Sequence, residues 1–132
     1  MAPWKKVAAG AAVLLVILVG AVISRLAGLT KDLCGNVELA RAMSPDGKLK
    51  AVTFQRDCGA TTGFSTHVSL LAADEALENE GGNIFAADIV QVRLHWLSNT
   101  HLRIEYLEPA RVFRKESRSK GVRIEHGSAA RG

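Results

Sequence analysis

A chain of 132 residues with a formal charge of +4, of which the first thirty or so are largely apolar, leaves about 100 for one small folded domain. Four of the 17 basic residues, Lys5, Lys6, Arg25 and Lys31, precede Asp32, so 13 remain against 13 acidic ones and the domain itself is neutral. A general polyanion-binding fold is therefore not indicated, and seven aromatic residues (four Phe, two Trp, one Tyr) give few stacking platforms for nucleic acid, which is not expected as a partner.

Val7 to Ser24 carries no charge, and as a helix it spans about 27 Å, close to the hydrocarbon thickness of a bilayer. Lys5 and Lys6 ahead of it outweigh Arg25 behind it, which weakly favours a cytoplasmic N-terminus and an exported domain. The expected organisation is a transmembrane anchor over residues 1–25, a tether over 26–33, a β domain over 34–126 and a disordered tail over 127–132. The rival reading is a cleaved signal peptide with Val19-Gly20-Ala21 as the small-residue site; against it, the apolar run exceeds the usual length of about 7 to 15 residues. The chain is thus placed in the inner membrane, single-pass, with its C-terminal domain in the periplasm or outside the cell.

Ser44-Pro45-Asp46-Gly47 has the residue order of a type I turn followed by a left-handed glycine. A three-residue loop closing on Ser44 and Lys48 sets Ala40 opposite Val52, Glu38 opposite Phe54 and Cys34 opposite Cys58. A disulfide between those cysteines would close a loop of about 25 residues and stabilise the fold by roughly 3.5 kcal/mol. It requires an oxidising compartment, in agreement with export.

Phe64, Thr66, Val68 and Leu70 alternate with Ser65, His67 and Ser69, the pattern of a strand whose polar face looks outward. Ala72 to Gly82 is an acidic loop with at most a short helix, and Ile84 to Ala86 a short extension. Val90 to Trp96 and Leu102 to Tyr106 alternate again and pair through Ser98-Asn99-Thr100, with Trp96 opposite Leu102 and Arg93 opposite Glu105. Beyond Pro109, Arg111–Arg114 and Val122–Ile124 supply two shorter strands. The expected fold is mostly β: one N-terminal transmembrane helix, then a small antiparallel meander curled into a sandwich or partial barrel with one disulfide.

"SPDGKLKAV" resembles the strand-turn-strand unit of TolB-like β-propeller repeats, but over about twenty residues only, too few for the blades of a propeller. Cys34-Gly35-Asn36, Ser44-Pro45-Asp46-Gly47-Lys48 and Arg56-Asp57-Cys58-Gly59-Ala60-Thr61-Thr62 together resemble an uncharacterised family of small bacterial membrane-anchored proteins. That resemblance implies a bacterial envelope setting and no particular activity.

The chain carries no nucleophile elbow, zincin helix, P-loop or dinucleotide fingerprint, and no cofactor is expected. The loop after Cys58 offers backbone N–H groups and the hydroxyls of Thr61 and Thr62 beside Arg56 and Asp57, the candidate place for an anionic or sugar ligand. His95 and His101 with Glu105 are a weaker candidate for a metal, lacking a fourth ligand. The resulting expectation is a binding or structural module of the envelope, without catalysis, whose partner is an envelope protein or an anionic envelope component. Two alternatives stand beside it. One is an inhibitor or immunity protein that presents the acidic loop Asp74–Glu80 to an envelope-acting toxin. The other is a small hydrolase in which Asp57 orients His67, with Ser65 or Thr61 as nucleophile. The basic stretch Arg111, Arg114, Lys115, Arg118, Lys120 and Arg123 reads as a solvated surface or as an edge that meets anionic headgroups or an acidic partner.

Overall fold

The computed structural model describes residues 3–59, 63–108 and 110–129. It divides into two units, one ending at Leu33 and one beginning at Cys34. The first is a single helix, α1 (Pro3–Asp32), so the expected tether is helical almost to its end. Within it Trp4–Leu26, 23 residues, is long and apolar enough to cross a membrane, and its side chains are exposed all round. Ser24 returns its hydroxyl to the Gly20 carbonyl (2.9 Å), so this polar group is satisfied within the helix itself.

The second unit is a sandwich of two sheets. The strands are β1 (Gly35–Met43), β2 (Leu49–Asp57), β3 (Phe64–Ala72), β4 (Phe85–Asp88), β5 (Val92–Ser98), β6 (His101–Tyr106), β7 (Val112–Lys115), β8 (Arg118–Ser119) and β9 (Val122–Ser128). The first sheet runs β1-β2-β3-β4-β7 and the second β5-β6-β9-β8. Mostly antiparallel pairing and the disulfide Cys34–Cys58 agree with the expected fold class. A simple meander does not: β7 leaves its sequence neighbours to pair with β4, and β9 runs parallel to β6. Gly127 and Ser128, expected in the tail, continue β9 opposite Glu105 and Tyr106.

The first hairpin follows the expected register at its open end, where Glu38 faces Phe54 and Gly35 faces Asp57. Nearer the turn the register moves by one, and Ala40 faces Thr53 instead of Val52. The turn is longer than expected because the Ser44 hydroxyl accepts the Leu49 N–H (3.0 Å) while Ser44 N–H donates to the Leu49 carbonyl (2.8 Å), closing four residues. Gly47 takes the left-handed conformation (φ 72°). A bulge between Glu38 and Ala40 absorbs the extra residue and brings the cysteines back into line.

Between the sheets lies one apolar core: Ala51, Val68 and Leu70 from the first sheet's middle, Phe85 and Ala87 from β4, and Leu102, Ile104, Tyr106, Val122 and Ile124 from the second sheet. The polar face of β3 is expected to meet water, yet His67 and Ser69 are buried. The acidic loop 73–83 crosses that face, laying Leu77 on a satellite cluster of Val52, Phe54 and Leu71. Its backbone and one side chain make the attachment: the Glu78 and Glu80 carbonyls accept from the Asn36 side-chain amide (3.0 and 2.8 Å), and the Asn79 side-chain amide donates to the Cys34 carbonyl (2.6 Å). Gly82 lies so close to the Phe85 and Val68 carbonyls and to His67 Cβ that any side chain there would collide with backbone.

Candidate functional site

At the end of the sandwich opposite the disulfide, tight turns come together. The Asp46 carboxylate accepts from Lys48 N–H (3.0 Å) and the Ser44 hydroxyl (2.7 Å), which hold it below the usual carboxylate range. Asp46 N–H in turn donates to the Asn99 side chain (2.8 Å), tying the first turn to the β5–β6 turn. Thr100 N–H donates to the Ser98 hydroxyl (3.2 Å), and Arg123 N–H to the Thr100 carbonyl (2.9 Å), so β9 is docked on that turn. The β8–β9 hairpin closes through Lys120 (φ 49°) and Gly121 (φ 74°), both left-handed as a two-residue type I′ loop requires.

These pairings create a row of basic side chains. Arg118 on β8 is directly opposite Arg123 on β9, and Arg123 is aligned with His101 on β6. Residues so aligned share one face of a sheet, and like charges directly opposite are unfavourable. The His101 ring lies 3.4 Å from the Arg123 guanidinium and 4.0 Å from the Glu125 carboxylate. Among the described residues no carboxylate comes within ion-pair distance of Arg118, Lys120 or Arg123, whereas Arg111 is paired with Asp88 (3.1 Å) and Arg114 with Glu116 (3.5 Å). The basic stretch read in the sequence therefore divides into Arg111 and Arg114, each in an ion pair, and Arg118, Lys120 and Arg123, which are in none among the described residues. The latter group borders an open cleft of about 460 Å³ lined by Ser98, Thr100, His101, Arg118, Gly121 and Arg123. Two guanidinium forks, an imidazole and two hydroxyls around one concavity are groups that can donate hydrogen bonds to an oxyanion.

The neighbouring part of this face is self-satisfied. Arg103 donates to Glu105 (2.9 Å) and Glu125 (2.6 Å), holding both carboxyls below their ordinary range, and it lies where a side chain at position 127 would be, so Gly127 makes its seat. The metal reading of His95 and His101 is not supported by this arrangement. His95 approaches Glu105 (3.4 Å) and His101 approaches Glu125, with the Arg103 cation between the two carboxylates. No group of three or more potential metal-ligating residues occurs among the described residues.

The other residues singled out in the sequence are placed differently. Arg56 turns onto the outer face of the first sheet, where its guanidinium donates to Asn36 (2.8 Å) and Asn79 (3.1 Å), so it holds the acidic loop. Asp57 accepts the Gly59 N–H (3.0 Å) and caps the turn after the disulfide. Thr61 and Thr62 lie outside the described residues.

His67 does lie beside Ser65, Nε2 to Oγ 2.8 Å, but in the wrong protonation geometry for a hydrolase. Gly82 N–H donates to His67 Nδ1 (2.9 Å), which fixes the lone pair there and the hydrogen on Nε2. A base that activates serine needs the reverse, a free Nε2 and an Nδ1–H held by a carboxylate. Asp57 cannot supply that carboxylate: it is opposite Phe64, three residues along the strand from Phe54, which is opposite His67.

No family model matches the chain, and comparison with curated proteins and with solved structures likewise yields no match. The sequence did contain a signal for the cleft, the density of Arg and Lys between 111 and 123. It was the parallel pairing of β9 with β6 that selected Arg118, Arg123 and His101 from that stretch.

Proposed function

We propose that this protein is a membrane-tethered binding module of the bacterial envelope that holds an anionic envelope component, through a phosphate-type oxyanion, in the cleft at the far end of its β domain. The observation that carries this reading is the row His101–Arg123–Arg118, three basic side chains aligned across three strands, in which neither arginine has a carboxylate within ion-pair distance among the described residues and Arg123 feels only the more distant charge of Glu125. Such a row weakens the apo fold, and a bound oxyanion would offset that cost. The anchor rests on the apolar span Trp4–Leu26, and export to an oxidising compartment rests on the Cys34–Cys58 disulfide. The resemblance to small membrane-anchored bacterial proteins is consistent with both.

The test is a titration of the full chain in nanodiscs with pyrophosphate, followed by backbone amide shifts. The expected result is a saturable shift confined to residues 98–101 and 118–123, weakened at least tenfold by Arg118→Gln together with Arg123→Gln and unaffected by Arg41→Gln. Uniform weak shifts at every exposed arginine would overturn the assignment.

A second reading is favoured by one observation. The acidic loop is attached through its backbone, through Asn79 and through Leu77, while Asp74, Glu75, Glu78 and Glu80 remain exposed to solvent. That surface suits a basic protein, as an inhibitor or immunity protein would require. Charge reversal at Asp74, Glu75 and Glu78 leaves the oxyanion cleft untouched, so loss of a protein partner in that variant alone separates the two readings.

A further inference from the structure

At the disulfide end, the first sheet terminates in a row formed by Gly35, Asp57 and Phe64, and the β3–β4 register extended by one residue adds Ile89. At strand spacings of about 4.8 Å this row is roughly 14 Å wide. Two of its members are large apolar side chains left in solvent: Phe64 is 53% exposed and Ile89 63% exposed. Strand ends usually carry polar turn residues, so an aromatic and a β-branched residue side by side at a rim are suited to an apolar covering surface.

Chain length says which surface is within reach. The 30 residues of α1 extend about 45 Å, equal to the whole bilayer including its headgroup layers. Only Leu33 and Cys34 separate the end of α1 from β1, and they reach at most about 10 Å. The disulfide fastens the end of β2 to that same short connection. The rim is therefore leashed to the level of the headgroups.

On this basis, and resting on the anchored reading above, we infer that Phe64 and Ile89 form a lipid-contacting rim that seats the β domain on the membrane interface. Aromatic and aliphatic side chains suit that interface, and the ionic groups beside them are balanced, Asp88 with Arg111. The attraction is thus apolar and does not depend on anionic lipid. With the rim on the bilayer, the basic cleft points away from it, at the opposite end of the strands.

The test uses the full chain reconstituted in phosphatidylcholine vesicles, with and without a third of phosphatidylglycerol, and a photoreactive benzoyl-phenylalanine in place of Phe64, Ile89 or, at the far end, Leu97. All three positions are exposed, and protection of both cysteines from alkylation verifies the fold of each variant. The expected result is lipid adducts from positions 64 and 89, equal in both vesicle types, and at least tenfold fewer from 97. In chain that resists alkaline extraction, equal adducts at all three positions, none at 64 and 89, or covalent dimers in place of lipid adducts would overturn the inference. Chain that is extracted by alkali refutes the anchored reading itself, and the rim falls with it.

Discussion

His67 illustrates how one buried side chain sets a property of the whole fold. Burial lowers its pKa below the ordinary value of about 6.5, and the nearby Arg56 and Arg114 cations act in the same direction. His126 is lowered likewise by burial and by Lys115, against a hydrogen bond to the Glu116 carbonyl (2.7 Å) that favours its charged form. Above about pH 6.5 both histidines are neutral in the folded and the unfolded chain and contribute no pH dependence. Below it the unfolded chain binds protons that the folded chain cannot take up until lower pH, so stability falls with acidification. Glu105 and Glu125, lowered by Arg103, add their loss only below the ordinary carboxylate value of about 4.5. The urea midpoint is therefore expected to drop between pH 7.5 and 5.5. His67→Gln, which keeps one acceptor for Gly82 and one donor for Ser65, is expected to lessen that drop; a midpoint flat across this range in the wild type would refute the assignment.

At the scale of elements, what the sequence conveyed was local. Alternation located β3, β5 and β6, and the pairing of Arg93 with Glu105 and of Trp96 with Leu102 holds because a short turn joins their strands. The hairpin register brought Cys34 to Cys58, although the turn was one residue longer and Leu39 made up the difference. Pairings between distant segments, β4 with β7 and β6 with β9, left no trace in periodicity, because a strand's alternation reports which face is buried and not which neighbour it meets. The same limit misled the reading of His67 and Ser69, polar residues that a loop of later sequence covers. The disulfide itself offers a quantitative check. Closing a separation of 24 residues predicts that Cys58→Ser lowers the unfolding free energy by about 3.5 kcal/mol, measured by urea denaturation. A loss well under about 1 kcal/mol would mean that the Asn36, Arg56 and Asn79 contacts already hold the open end of the hairpin closed.

For the whole molecule, topology and redox chemistry are coupled through a chain of short connections. The helix, the disulfide and the first sheet are separated by two residues, so whichever compartment receives the end of α1 also receives Cys34 and Cys58. Orientation in the proposed membrane is governed by Lys5 and Lys6 against Arg25 and Lys31, a small difference that a few substitutions can reverse. Replacing Lys5 and Lys6 by Glu while placing two further arginines next to Arg25 is expected to retain the β domain in the cytoplasm, where thiols stay reduced. Alkylation of unreduced chain in intact membranes reads the outcome: wild-type cysteines are blocked by their bond, and the inverted chain is labelled at both. Equal protection in the two chains would show that the disulfide forms irrespective of side, removing the argument from redox compartment to export. Labelling confined to the charge-reversed chain would instead tie the staple, and with it the placement of the basic cleft outside the cytoplasm, to the balance of charges around a single helix.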